Sequence, residues 1–476
     1  MRLNTGTKAL FLLADSHYCC PDRTRHGWPR PGSTTRDGRK VAKTAERNDL
    51  QSGDTRLFFG AGSGRTILGE LREGQLRSKV LWIAALLFGL LDVVRWHHGS
   101  GFAADSFPAW QSAHAILHGH SSWNGFVYLP GCLLLAFPLA IFPFEVTKYL
   151  VYAVQILGLA YVFWAMSRVI KIPLGSIRIA WAALLLVLCG QLGIAAHYEN
   201  FTLLLIPLAA GFLLAIDRDR PMSAAVILGI SLTVKPLLAP LLLVLLLARR
   251  WRESAVAVLI PAVLSAITLV IVVAVNADPS KFWHNVTSTF SDDTGKPWNM
   301  SLGAMAGYLH APAAVGDVVR VIVTAICLMV CWRLWKRPRD EGGVQAALLT
   351  APLFVIVVLS FSFSWGYYCL LLLPLGFVSL QRDRLSNWVV RVGVFLAVAP
   401  PLLVYSIPGY PQRYYLEAPD HIFGLGILLN GASAVGVLIA LAGIVLYAFG
   451  DDDPEAFRPG LESARPRAAA APDLLA

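Results

Sequence analysis

The chain is 476 residues long, 56% hydrophobic and only 15% charged, where an ordinary soluble domain carries about 25% charged residues. Its formal net charge is +10. These proportions exclude a soluble enzyme, a disordered protein and a secreted disulfide scaffold, and leave an integral membrane protein. The positive charge lies in the first 78 residues and in short clusters between apolar runs, which is the pattern of cytoplasmic loops and not of a nucleic-acid surface.

Residues 1–78 are rich in Arg, Gly, Ser and Thr, and the apolar patch Ala9–Ala14 is too short for a signal-sequence core. They are expected to form a disordered, basic cytoplasmic extension. From Val80 onward the apolar runs approach the ~20 residues that cross a bilayer. They fall at 80–95, 149–168, 178–196, 200–216, 253–275, 314–333, 344–361, 367–380, 386–406 and 423–449. The expected fold class is all-α, a polytopic helical bundle over 79–450 with about 10–13 transmembrane or re-entrant helices. Residues 451–476 read as a second disordered cytoplasmic tail.

Two further runs are irregular. Segment 126–144 holds Pro130, Pro138 and Pro143, and segment 222–248 is interrupted by Lys235-Pro236. The clusters Arg168/Lys171/Arg178, Arg218/Arg220, Arg249/Arg250/Arg252, Arg333/Lys336/Arg337/Arg339 and Arg382/Arg384 all reach the cytoplasmic side only under two conditions. Segment 126–144 must re-enter instead of crossing, and 222–248 must be two short helices with their tip at Lys235 pointing outward. The outer side then collects 96–146, His197–Asn200, Lys235, 276–313, Ser362–Tyr367 and Ser406–Phe423, and with them most polar residues of the core.

The first outer loop contains Asp105, the only acidic residue between Val93 and Phe144. Its plain structural role is N-cap of the short amphipathic helix that Pro108 opens, where the helix dipole would lower its pKa. Its functional role is a carboxylate that takes a proton from a hydroxyl. Trp110 sets this segment at the membrane interface. Five of the 11 histidines (His97, His98, His114, His118, His120) lie in the same loop. His114 and His118 have metal-binding i, i+4 spacing but no accompanying Glu, and no metal is expected. Asp292-Asp293 reads as a solvated loop tip.

Lys235 carries more information, because an ammonium within an apolar run is costly and must pair or reach water. It is either ion-paired with a carboxylate such as Asp92 or Glu199, or a cation for a lipid-linked phosphate. Intramembrane ionisable groups favour the functional reading. His197-Tyr198-Glu199-Asn200 joins two apolar runs with almost no loop, so its side chains either bond helix ends or line a vestibule. Trp365-Gly-Tyr367-Tyr368 and Arg413-Tyr414-Tyr415 are aromatic anchors or a sugar- and phosphate-binding surface. The seven cysteines lack metal or disulfide spacing and read as small buried hydrophobes. Neither a nucleotide fold nor a P-loop motif occurs, and no internal repeat is evident.

Taken in order, Ala104-Asp105-Ser-Phe-Pro-Ala-Trp110, Tyr128-Leu-Pro-Gly131, Glu199-Asn200-Phe-Thr-Leu-Leu-Leu, Val234-Lys235-Pro-Leu-Leu-Ala-Pro, Asn299-Met-Ser-Leu302 and Trp365-Gly-Tyr-Tyr368 resemble a known family. It is the polyprenyl-phosphate-dependent, type-C glycosyltransferases of actinobacteria, family 87, over roughly residues 80–450. The Lys-Pro-Leu-Leu and Gly-Tyr-Tyr pieces look more like its α-(1→3) arabinofuranosyl branch than its mannosyl branch. Ala104 stands where the family often has a second acid, and Tyr128-Leu129-Pro130 replaces a Tyr-Pro-Pro run.

The resemblance implies a sugar donor such as decaprenyl-phosphoryl arabinose or polyprenyl-phosphate mannose, a cell-envelope polysaccharide or lipoglycan acceptor, no cofactor, and a site on the extracytoplasmic face of the bacterial plasma membrane. Asp105 would be the base. Lys235, with Arg413 and His197, would bind the donor phosphate. Trp110, Glu199, Asn200, Trp365, Tyr367 and Tyr368 would contact sugar or acceptor. A lipid-linked sugar transporter or flippase, and a membrane protein without catalysis, are the readings from other classes. Convergence of Asp105 and Lys235 separates them from the enzyme.

Overall fold

The computed structural model describes residues 67–97, 103–120, 126–275, 280–292, 299–337, 342–361, 364–381, 385–400 and 420–450. Among them are 17 α-helices, two 3₁₀ segments and no strand beyond an isolated bridge between Asn299 and Trp365. The chain is an all-α, multi-pass membrane bundle. Among the described residues, six helices are long and apolar enough to cross a bilayer. Outward-facing Val258, Leu259, Val263, Ile267, Val270 and Val273 on the helix Trp251–Ala274 form an apolar face that lipid would cover.

The chain enters through α1 (Ile67–His97), which starts inside the stretch assigned to the basic extension. Short α2 (Phe107–Leu117) and α3 (Cys132–Ala140) follow, then the long α4 (Phe144–Val169). At about 1.5 Å per residue, the nine residues of α3 cover less than half of a ~30 Å hydrocarbon layer, so 126–144 does not cross as a straight helix. The expected single run 178–196 is broken. It forms α5 (Ile177–Val187) and α6 (Gly190–His197), bent by 57° where Cys189 turns extended and Gly190 weakens helix propensity.

Next come α7 (Thr202–Asp217) and α8 (Pro221–Val234). Lys235 is extended (φ −160°, ψ 129°), as the residue before a proline prefers, and the 3₁₀ turn Pro236–Leu241 leads into α9 (Leu242–Leu247). The expected two-piece form of 222–248 is therefore present. The chain continues through α10 (Trp251–Ala274), α11 (Ser280–Asp292), α12 (Leu302–Tyr308), α13 (Ala313–Lys336) and α14 (Gly342–Leu359). Run 367–380 is not one helix but a 3₁₀ turn, Gly366–Leu372, and α15 (Leu373–Ser379). The last two are α16 (Leu385–Val398) and α17 (Asp420–Phe449).

The buried α14 sits among α7, α13, α15 and α17, while α4 packs on α7 and α8 on α10. Lipid gives apolar helices little reason to associate, so close packing of small residues has to hold them. The α16–α17 pair illustrates this, since a Cβ on Gly393 would lie 2.2 Å from the backbone N of Ala440.

Polar bonds tie the basic clusters together at one end of the bundle. Arg178 donates to Leu380 O (2.8 Å), Gln381 to Ile170 O (3.1 Å) and the Gly343 amide to Asp217 (3.4 Å), and Arg250 pairs with Asp219 (3.6 Å). The opposite end gathers 103–107, 126–131, 197–202, Lys235, 299–301 and 364–368.

Candidate active site

The site starts from a docking of two short backbone stretches. The Ala103 amide donates to His197 O and the Asp105 amide to Tyr198 O, both at 2.9 Å. Ala103 (φ +64°) and Glu199 (φ +50°) are both left-handed within this junction, a conformation that costs a non-glycine residue about 1–2 kcal/mol. Such strain persists only where the surroundings enforce it.

Asp105 is not the helix cap. The helix starts at Phe107 with Ser106 in the cap position and Pro108 in its first turn, and no side chain caps it. The Asp105 carboxylate turns instead to Asn200, whose amide donates to Oδ2. Burial raises the Asp105 pKa above its ordinary value, against the opposing pull of the Asn200 bond and the Lys235 charge. The lowering expected from a cap position is therefore reversed. Asp105 remains half-buried, and so reachable.

Asn200, 2% exposed, is the hub of the site. Its Nδ2 also donates to Tyr367 Oη (2.8 Å), and its Oδ1 accepts from the Thr202 amide at the start of α7 (2.8 Å). Tyr128 Oη lies 3.5 Å from Asp105 O. Lys235 Nζ projects from the break after α8 over the ring of Tyr368 (4.6 Å), with Tyr128 at 5.8 Å and Tyr367 at 6.0 Å. Cation–π attraction is worth up to about 2 kcal/mol when desolvated, and it holds the ammonium without neutralising it. Lys235 interacts electrostatically with Asp105 but makes no contact ion pair with it. Asp105 and Lys235 thus border the same tyrosines, and Lys235 does not pair with Glu199.

The Trp365–Tyr368 corner is built from two distant stretches. Asn299 Oδ1 accepts from the amides of Ser301 and Ser364 (3.0 Å each), and the Met300 amide donates to Ser364 O (2.9 Å). Trp365 then stacks on Tyr367 at 5.6 Å and 11°. Gly366 packs on the end of the Gln191 side chain, where a Cβ would stand 2.4 Å from Gln191 Nε2.

Other expected residues play different parts. Glu199 is fully buried against Ser106, so it does not face a sugar directly. Burial pushes its pKa up to about 8, although Ser106 and Lys148 oppose the shift. His197 is 1% exposed, edge-on to Tyr198 at 5.2 Å, and its carbonyl anchors Ala103. Trp110 Nε1 donates to Phe142 O (3.0 Å) and its ring stacks on His114 (4.7 Å), fixing α2 against the start of α4. Arg413 lies outside the described residues, as do Asp293 and His98, and of His97, Asp92 and Asp292 only the backbone is described. No cluster of three metal-ligating side chains occurs among the described residues.

Sequence reasoning had not singled out Ser106 or Gln191. Only adjacency to Asp105 could have pointed to the first, and nothing local signals Gln191.

Residues 126–360 match the sequence profile of Glycosyltransferase family 87, a span that includes Lys235 and Asn200 but not Asp105. The chain is 27% identical over 337 residues to the α-(1→3)-arabinofuranosyltransferase of Mycobacterium tuberculosis, covering 67% of this chain and 76% of that one. It is 22% identical over 298 residues to the enzyme of the same name from Corynebacterium glutamicum, covering 62% and 69%. With that of Mycolicibacterium smegmatis it shares 26% identity over 281 residues, covering 57% and 63%.

Proposed function

We propose that the chain, which matches the profile of glycosyltransferase family 87 over residues 126–360, is a member of that family and moves arabinofuranose from a polyprenyl-phosphate donor to a hydroxyl of a cell-envelope glycan, on the extracytoplasmic face. The observation that supports this is the convergence of Asp105 and Lys235, which interact electrostatically, beside Tyr128 and Tyr368. The sugar supports itself on the relatives, which are named arabinofuranosyltransferases. The basic clusters at the far end of the bundle, where the positive-inside tendency favours the cytoplasm, support this choice of face.

In this reaction the acceptor oxygen bonds to the anomeric carbon as the bond from that carbon to the phosphate oxygen breaks. The electron pair stays on the phosphate, and the acceptor proton passes to Asp105. Lys235 meets the negative charge that grows on the leaving phosphate. Fixed donors in a water-poor site are worth more there than in water. Trp365, partly exposed and stacked on the buried Tyr367, offers a flat apolar face to a sugar ring.

The test is transfer in membranes holding the full chain, with synthetic decaprenyl-phosphoryl arabinose and polyprenyl-phosphate mannose supplied side by side to a cell-envelope polysaccharide acceptor such as arabinan. Arabinose product alone is the expected result. Product from mannose alone would move the activity to the other branch, and product from neither would overturn the donor class.

A further inference from the structure

Glu199 presents an unusual balance of hydrogen-bonding atoms. Its Oε2 contacts Ser106 Oγ, and its Oε1 is buried with no partner. The same Ser106 Oγ lies 3.1 Å from Ala103 O. A serine hydroxyl has one hydrogen to give, so it cannot make two full donations, to Ala103 O and to Glu199 Oε2. Two full hydrogen bonds form when Ser106 donates to Ala103 O and Glu199 donates its own proton to Ser106 Oγ. The bare Oε1 agrees, since an unpartnered carbonyl oxygen is far cheaper to bury than an unpartnered carboxylate oxygen.

We propose that Glu199 is a positioning residue, an un-ionised carboxyl whose O–H, given to Ser106, holds the Asp105 loop against residues 197–200. This rests on the reading of Asp105 as the base. Through Ser106 the carboxyl secures the turn whose amides at Ala103 and Asp105 grip His197 O and Tyr198 O. Loss of its proton would turn this donor into a second acceptor and set a second negative charge beside Asp105. The charged and titratable groups around Glu199 are Asp105 on the docked loop, Lys148 of α4 with its partner Glu145, and the neighbours His197 and Tyr198. With a pKa pushed up to about 8, the carboxyl is mostly protonated at neutral pH and loses its proton above it.

The experiment compares pH–rate profiles of wild type, E199Q, E199A and D105N in the membrane transfer assay, with melting curves of each. A glutamine amide can give the same hydrogen bond but cannot titrate. Wild-type kcat should fall about tenfold from pH 7 to pH 9, the ratio expected for one group with a pKa near 8. E199Q should recover most of what E199A loses at pH 7 and show no such fall, with KM for the acceptor little changed. An alkaline fall in E199Q equal to that of wild type, an E199Q as impaired as E199A, or an E199Q that fails to fold would each overturn the proposal. An inactive D105N beside any of these leaves the base assignment standing, whereas an active D105N removes that assignment whatever E199Q does.

Discussion

Asn200→Asp changes one atom of the hub and leaves its shape. The new Oδ1 still accepts from the Thr202 amide, so the start of α7 keeps its bond. The former Nδ2, which donates to Asp105 Oδ2 and to Tyr367 Oη, becomes an acceptor facing both. A hydrogen bond to a charged group contributes about 1.5–3 kcal/mol and a neutral one about 1 kcal/mol. Two carboxyls at hydrogen-bond distance must also share a proton, which drives one pKa sharply up. The loss in kcat/KM should therefore be about 3–4 kcal/mol, or roughly 100- to 1,000-fold at pH 7. Asn200→Ala removes the donor without adding the repulsion and should keep more activity than Asn200→Asp. The acid limb of the Asn200→Asp profile should move to higher pH, since Asp105 would ionise later. Transfer within threefold of wild type at pH 7, or an unmoved acid limb in a folded variant, would refute the role of Asn200 as the group that sets Asp105.

Lys235→Met should cut kcat/KM for the donor by about 10- to 100-fold, the loss of one charge-assisted contact, while melting stays level or rises because a costly intramembrane charge is gone. Gly366→Ala should destabilise the protein by about 1 kcal/mol, because the added methyl pushes the end of Gln191 off its hydrogen bond to Ser433, read as a lower melting temperature in detergent. Glu199 also links stability to pH. Its folded pKa of about 8 exceeds the ordinary 4.5, so the stability it contributes is complete below 4.5 and is lost as pH rises to about 8, a slope that melting of E199Q should lack.

The convergence of Asp105 and Lys235 was legible because both are rare charges in apolar surroundings, and lipid leaves such groups few places to go. The break at Lys235-Pro236 was legible for the same chain reason, the constraint that proline sets on its predecessor. The bend between α5 and α6 was not, since Leu184-Leu-Leu-Val-Leu-Cys-Gly190 is apolar throughout and only the glycine hints at it. The cap reading of Asp105 failed by one residue: the helix starts at Phe107, and Asn200, 95 positions away in the chain, captures the carboxylate that a cap would have turned inward. Tyr128 and Tyr368 around the ammonium, like Gln191 under Gly366, are tertiary contacts between segments far apart in sequence. No periodicity records such contacts.

The central claim is that Asp105 takes the acceptor proton in a site where Lys235 meets the donor phosphate. Steady-state kinetics of Asp105→Asn with decaprenyl-phosphoryl arabinose test it most directly, because the amide keeps the size of the side chain while removing the base. The account predicts a fall in kcat of at least about 100-fold, the lower range for general-base catalysis, with donor KM within a few-fold of wild type and an unchanged melting profile. A folded Asp105→Asn enzyme with wild-type kcat would contradict it.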